Sequence, residues 1–266
     1  MSISPQTLVL KEPDTVLCET ASRNIFLGNL LNTPAIANEL ISHLKLVSLT
    51  TNQVLYELGD RMDIVYFPID SVISGLAIME DGTTIETSMV GRESMCGIST
   101  VLSSGRSRHW NWVLVSGSAI QLEARLLDRL VAHNEDALKA YLKCYRSLIT
   151  QTAQRCVCNT RHTILERLCC WLLMLHDRVG SNNLKLTQEM IASRVGARRA
   201  GITVAAGMLQ ELGGIGYRRG QLHIRDRSVL EQTVCECYTM MRTDFSPPPR
   251  NFLAGNFAIN EKSVNG

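Results

Sequence analysis

The apolar residues change their spacing once along the chain, and that change limits the folds open to it. Between residues 45 and 122 they come in short β-branched runs (53–56, 64–69, 72–79, 84–90, 112–115 and 119–122), broken at Gly59-Asp60, Glu80-Asp81-Gly82 and Ser103-Ser104-Gly105. Runs this short and this regularly interrupted predict a jelly roll or a similar small β-barrel. After Leu122 helical spacing takes over and persists. Ahead of the strands, residues 1–23 show no sustained period, and a first helical signal covers 24–31. Thr33 then suits an N-cap and Pro34 the first helical position of a short amphipathic helix carrying Ile36, Leu40, Ile41 and Leu44. The expected class is α+β.

Within the helical part, residues 135–158 place Leu138, Leu142, Tyr145, Ile149, Thr152 and Cys156 at alternating steps of four and three, the rhythm of a coiled-coil seam. Such a seam packs either on a partner helix or on the chain's own β-domain, and periodicity alone leaves both open. A further helix over 161–178 carries the longest apolar run, 168–175, which stops at His176-Asp177. That run is far short of the roughly 20 residues of a membrane-spanning helix. The amino terminus, MSISPQTLVLKEPD, lacks a basic segment followed by an apolar core, so the expected location is cytoplasmic with no membrane partner.

The chain has 266 residues, 45% of them hydrophobic and 20% charged, enough for two modest globular domains. Its nine cysteines are an odd number and are read as reduced core thiols. Cys156-x-Cys158 and Cys235-x-Cys237 have metal-ligand residue types. The C-x-C spacing is not the usual zinc spacing, however, and side chains two apart on a helix diverge, so no metal is expected. The net charge of +2 gives no global argument for nucleic acid.

The charge distribution does. Thr187 begins a two-turn helix that ends at Gly196, and helical spacing resumes through Ile202, Ala205, Ala206, Leu209 and Leu212. Ala192, Gly196 and Ile202 supply the close approach, the turn and the small core of a helix-turn-helix. Directly behind it, 215–218 and 221–225 flank the turn Arg218-Arg219-Gly220 as a β-hairpin, which makes the unit a winged helix-turn-helix. Between Leu186 and Arg227, seven arginines (194, 198, 199, 218, 219, 225, 227) face Glu189, Glu211 and Asp226. Arg198-Arg199 would open the recognition helix and Arg218-Arg219 the wing tip, the two places where such a unit meets DNA. Thr187, Gln188 and Thr203 complete the expected DNA-binding set. Enzyme signatures such as G-x-x-x-x-G-K-[ST], G-x-S-x-G and H-E-x-x-H are absent from the sequence, and no catalytic residue is assigned.

The order of parts, together with Val65-Tyr66-Phe67-Pro68, Glu80-Asp81-Gly82-Thr83, Val90-Gly91-Arg92-Glu93, Trp171-Leu172-Leu173-Met174, His176-Asp177-Arg178, Leu186-Thr187-Gln188-Glu189 and the run from Gly196 to Thr203, resembles the Crp/Fnr family of bacterial transcription regulators. The resemblance covers about residues 24–242 and implies a cyclic-nucleotide-binding-like β jelly roll at 24–134, a dimerisation helix at 135–158 and a winged helix-turn-helix at 159–242; the Pro-, Asn-, Gly- and Ser-containing end, 243–266, reads as a flexible tail. It implies a homodimer that binds a roughly palindromic double-stranded DNA operator, with RNA polymerase as a further partner. In the family's best-known member the recognition helix reads bases with an arginine, a glutamate and a second arginine. Here Arg199, Ala200 and Val204 stand at those places and only the first is kept, which implies a different operator. Members that bind cyclic nucleotide hold the ribose with a glutamate, matched by Glu93, but Arg92 replaces the glycine before it. The phosphate arginine falls only loosely on Arg106 or Arg108, and Thr152-Ala153 stand where a threonine and a serine reach the base. Arg92, Glu93, Arg108 and Thr152 are thus the candidate effector pocket, no cofactor is expected to be required, and cyclic nucleotide is the less favoured effector. Two other functional readings are a sensing module that acts through a protein partner and a thiol-dependent enzyme.

Overall fold

A computed structural model describes residues 8–10, 14–101 and 105–242 of the chain; the expected tail, 243–266, lies outside the described residues. Two four-stranded antiparallel sheets form the amino-terminal half. Strands β1 (Leu8–Leu10), β2 (Lys45–Leu49), β3 (Val54–Tyr56), β4 (Ile64–Pro68), β5 (Val72–Ile78), β6 (Thr84–Val90), β7 (Trp110–Val115) and β8 (Gly117–Glu123) pair in the orders β1-β2-β8-β4 and β3-β7-β5-β6. Between the sheets lie Val47, Tyr66, Ile73, Val90, Val113 and Ala119. The β5–β6 hairpin turns at Gly82, whose φ is +80°, while the Asp81 carboxylate accepts from the Thr83 amide at 2.8 Å.

Three helices, α1 (Asp14–Ala21), α2 (Ile25–Leu31) and α3 (Pro34–Leu40), precede the second strand. Asn24 anchors them. Its carbonyl oxygen caps α2 by accepting from the Leu27 amide at 3.0 Å, and its amide group donates to the Pro68 and Ser94 carbonyls at 2.9 Å each. The buried amide is therefore fully satisfied and ties α2 to the end of β4. Helix α1 falls where the sequence shows no period, because only Leu17 and Ala21 of its described side chains are buried, too few to form a pattern.

After the strands come α4 (Ala124–His133), the 27-residue α5 (Glu135–Arg161) and α6 (Ile164–Val179). Asn134 caps α5 from the Ala137 amide, and Thr163 with Glu166 forms a reciprocal capping box on α6. Helix α5 turns Ala137, Tyr141, Cys144, Gln151, Arg155 and Cys158 inward onto its own chain. The heptad seam is the neighbouring face and stays open: Leu138, Leu142 and Ile149 are 39%, 49% and 52% exposed. Tyr145 is half-buried and stacks on Tyr141, and the exposed Thr152 turns its hydroxyl back to the Leu148 carbonyl at 3.0 Å. Leu138, Leu142 and Ile149 thus stay open, whereas Tyr145 packs on the amino-terminal core and Thr152 also reaches the Thr87 carbonyl of β6 at 3.4 Å. Among the described residues no helix is long and apolar enough to cross a membrane.

The remaining elements are β9 (Asn183–Lys185), α7 (Gln188–Val195), α8 (Arg199–Glu211), β10 (Ile215–Arg218), β11 (Gln221–Ile224), α9 (Arg227–Thr233) and α10 (Cys237–Met241). They pack on α6, whose residues 168–175 are all buried. A buried carboxylate joins this half to the first. Glu86, 2% exposed in the middle of β6, accepts from Arg155 Nη1 at 2.8 Å, from Trp171 Nε1 at 3.0 Å and from Ser74 Oγ, and Arg194 Nε lies 3.7 Å away. The second Arg155 nitrogen donates to the Arg194 carbonyl at 2.6 Å. One carboxylate thus links β5, β6, α5, α6 and α7. Removing its charge while keeping its shape should strand two buried guanidinium groups, and Glu86→Gln is expected to lose about 3–5 kcal/mol of unfolding free energy in a urea titration. A loss under about 1 kcal/mol would mean that the two arginines find other partners.

A candidate nucleic-acid interface

The second half of the chain makes its exposed surface from local rules. Thr187 caps α7 by accepting from the Met190 amide at 3.1 Å. Gly196 ends that helix in the left-handed region, with φ 69°, and Arg167 donates to the Gly196 carbonyl at 2.9 Å. Arg198 occupies the N-cap of α8 and Arg199 its first turn, both exposed. Ile202, Ala205, Ala206 and Leu209 form the inner face of α8. Arg199, Ala200, Thr203 and Val204 point outward, Val204 at 66% exposure. A Cβ on Gly201 would lie 2.6 Å from the terminal Cδ1 of Ile164, so the start of α8 comes close to the start of α6.

The wing follows from its turn. Arg218 pairs with Gln221, and the two central residues Arg219 and Gly220 have φ values of 50° and 76°, the two left-handed positions of a type I′ hairpin. Strand β9 adds a third strand to this sheet through Leu184. The sequence does not announce it, since three residues with one apolar side chain carry no period. The Leu186 amide donates to the Gly220 carbonyl at 2.9 Å, and the Tyr217 hydroxyl donates to the Leu186 carbonyl at 2.8 Å. The wing tip is thereby fixed beside Thr187. Burial pushes the Tyr217 hydroxyl pKa up, with the Arg199 charge working against it. Thr203 donates to the Gln188 side chain at 2.8 Å and so joins the outer face of α8 to the start of α7.

Thr203 also faces the Arg199 carbonyl at 3.1 Å, so Gln188, Thr203 and Arg199 are joined by short contacts, Thr187 is next to Gln188, Arg218 and Arg219 lie on the hairpin anchored to the neighbouring Leu186, and Arg198 is at the N-cap of α8. The arginine cluster divides in two. Arg194 is buried toward Glu86, and burial lowers its pKa against the pull of that carboxylate. Arg227 holds Asp177 at 2.8 Å and Glu231 at 2.7 Å, which raise its pKa although desolvation opposes them. Arg198, Arg199, Arg218, Arg219 and Arg225 remain exposed. A groove beside Arg198 and Arg199 is closed on its far side by the β5–β6 hairpin tip, where the Ser193 hydroxyl donates to the Thr84 carbonyl at 2.9 Å.

The expected effector set is not assembled. Glu93 is buried, but its carboxylate accepts from Arg178 Nε at 2.8 Å and from the Gly91 amide at 3.2 Å. Arg178 lies so close over Gly91 that a Cβ there would be 2.7 Å from its Cγ. Arg92 and Arg108 are exposed, Arg106 donates to the Gly59 carbonyl at 2.8 Å, and the Thr152 hydroxyl faces the Leu148 carbonyl of its own helix at 3.0 Å and the Thr87 carbonyl of β6 at 3.4 Å. The carboxylate matched to a ribose ligand here forms an ion pair with Arg178 of α6, 85 residues away in the sequence. All nine cysteines are free and seven of them are buried; Cys156 is exposed, and Cys158 lies against Cys235, 3.6 Å between sulfurs.

Residues 166–233 match the Crp-like helix-turn-helix domain family. FixK2 from Bradyrhizobium japonicum superposes with a TM-score of 0.62 at 16% identity, covering 72% of this chain and 98% of its own. A CRP-family transcriptional regulator from Thermus thermophilus gives 0.59 at 16% identity over 70% of this chain and 95% of its own. The c-di-GMP-responsive global regulator CLP of Xanthomonas campestris gives 0.59 at 15% identity over 73% of this chain and 100% of its own. The family match covers the helix-turn-helix segment, and the fold of the whole described chain is like that of these solved regulators. No curated protein matches its sequence.

Within this fold the helix caps differ in strength. Thr187→Ala removes a side-chain hydrogen bond from the start of α7 and should cost about 1 kcal/mol of unfolding free energy. Thr33, at the N-cap of α3, makes no side-chain cap bond, so Thr33→Ala should cost less in the same urea titration. Equal losses would show that the Thr187 cap contributes nothing of its own.

Proposed function

We propose that this protein is a sequence-specific DNA-binding transcription regulator that acts as a homodimer on a roughly palindromic operator. The observation that carries this reading is the contiguous surface in which the start of α7, the first turns of α8 and the wing tip are fixed to one another, with exposed arginines at the helix start and at the wing. A recognition helix enters the major groove by its first turns, where Arg199 is placed to donate two hydrogen bonds to guanine O6 and N7. A two-stranded wing beside it lies along the backbone, where Arg218 and Arg219 neutralise phosphates. Val204, exposed one turn after Ala200, offers an apolar contact to a thymine methyl group.

The open seam of α5 supports the dimer. Leu138, Leu142 and Ile149 bury their exposed surface only against another helix, and a two-fold pair of winged units then matches a two-fold operator. The β-domain serves as the sensor, and cyclic nucleotide is not required, because Glu93 is already held by Arg178. RNA polymerase is the further partner of such a regulator. Nothing in this reading requires enzymatic chemistry, and the chain works in the cytoplasm.

The two arginine sites should fail differently in fluorescence anisotropy with operator and random duplexes. Arg199→Ala should cost about 1–3 kcal/mol on the operator and relax discrimination at one base pair of each half-site. Arg219→Ala should weaken all sequences alike and reduce the salt slope by about one unit. Equal losses on operator and random DNA for Arg199→Ala would make it a phosphate contact and remove α8 from the groove.

A further inference from the structure

Three thiols and an imidazole that the sequence keeps apart meet where α5 ends. Cys158 and His162 are four residues apart, at the last turn and the C-cap of the helix, so they share one face. Cys235 and Cys237 come from the segment that joins α9 to α10 and opens the latter. The Cys158 and Cys235 sulfurs are 3.6 Å apart, the Cys237 sulfur is 3.4 Å from His162 Nδ1, and all four ligand atoms lie within 4.8 Å of one another. A tetrahedral zinc ion with bonds of about 2.3 Å to sulfur and about 2.0 Å to nitrogen requires edges of about 3.8 Å between sulfurs and about 3.5 Å between sulfur and nitrogen. The two measured edges already have those lengths.

The surroundings are built as a metal's outer shell is built. Gln154 Nε2 donates to the Cys237 sulfur at 3.1 Å from the preceding turn of α5. Glu236 Oε2 lies 3.4 Å from His162 Nε2, the nitrogen left over when Nδ1 binds, which is the carboxylate–histidine–metal arrangement that orients an imidazole ligand. All three sulfurs are buried, so water does not compete for the site. Packing as small hydrophobes would not require a histidine nitrogen and three sulfurs to converge on one point.

We infer that Cys158, His162, Cys235 and Cys237 hold one zinc ion in tetrahedral coordination, which clamps the end of the dimerisation helix to the carboxy-terminal helices of the DNA-binding unit. Binding displaces the thiol protons and closes a site whose two halves are 77 residues apart, so the ion fixes the joint between α5 and α6 from outside their short connection. This site is independent of the DNA surface, and its test does not depend on the operator.

The full chain, purified under thiol reductant without added metal or chelator, should contain about one zinc per chain by plasma mass spectrometry. Cys235→Ser and Cys237→Ser should each lower zinc affinity at least tenfold in competition with a chromophoric chelator, whereas Cys156→Ser should leave it unchanged. Should the serine variants fail to fold, cobalt substitution of the unaltered chain still decides the matter. Intense visible d–d bands with near-ultraviolet thiolate-to-cobalt charge transfer are expected from a tetrahedral thiolate site. Unaltered protein that contains no zinc and takes up neither zinc nor cobalt overturns the inference, as does a Cys158–Cys235 disulfide found by peptide mapping of protein kept under reductant.

Discussion

The structure depends on the burial of one carboxylate. A carboxylate removed from water costs several kcal/mol unless charged and polar partners surround it. Glu86 draws its partners from four other elements: Ser74 from β5, Arg155 from α5, Trp171 from α6 and Arg194 from α7. This strand of the β-domain therefore holds the long helix and the first helix of the helix-turn-helix in one arrangement. Arg194 sits in α7 two residues before its closing Gly196, so the position of the turn that presents Arg198 and Arg199 is set by a charge inside the β-domain. Glu93 and Arg178 add a second buried pair between the same two halves. The β-domain and the helix-turn-helix unit are thereby mechanically continuous, which the proposed regulator needs if a change in the one is to be felt by the other.

Features whose signals are local were legible in the sequence. The β10–β11 hairpin has the residues that its turn demands, with Gly220 at a left-handed position, and Thr187 and Gly196 bracket α7. The seam of α5 was legible as a period, but whether it faced the β-domain was not. The adjacent face, with Tyr141, Cys144 and Gln151, has nearly the same spacing, and only the fold shows which of the two is used.

What could not be read depends on contacts between distant residues. Counting arginines treats Arg194 and Arg227 like Arg199, although the first is buried beside Glu86 and the second is held by Asp177 and Glu231. Glu93 matches a ribose-binding position by its place in the chain, yet its partner is Arg178. Cys158 pairs in sequence with Cys156 and in space with Cys235, because side chains two apart on a helix point away from each other. In each case the residue type was informative and the partner was hidden.

The central claim is that two copies of this chain, joined along α5, read one operator with two winged units. Selection of bound fragments from mixed genomic DNA, with sedimentation of the recovered complexes, tests it most directly. The account predicts two chains per fragment and an enriched inverted repeat whose half-sites lie about one helical turn, roughly 34–36 Å, apart, with binding that weakens steeply as salt rises. Recovery of one chain per fragment, or of fragments without any shared repeat, would contradict it.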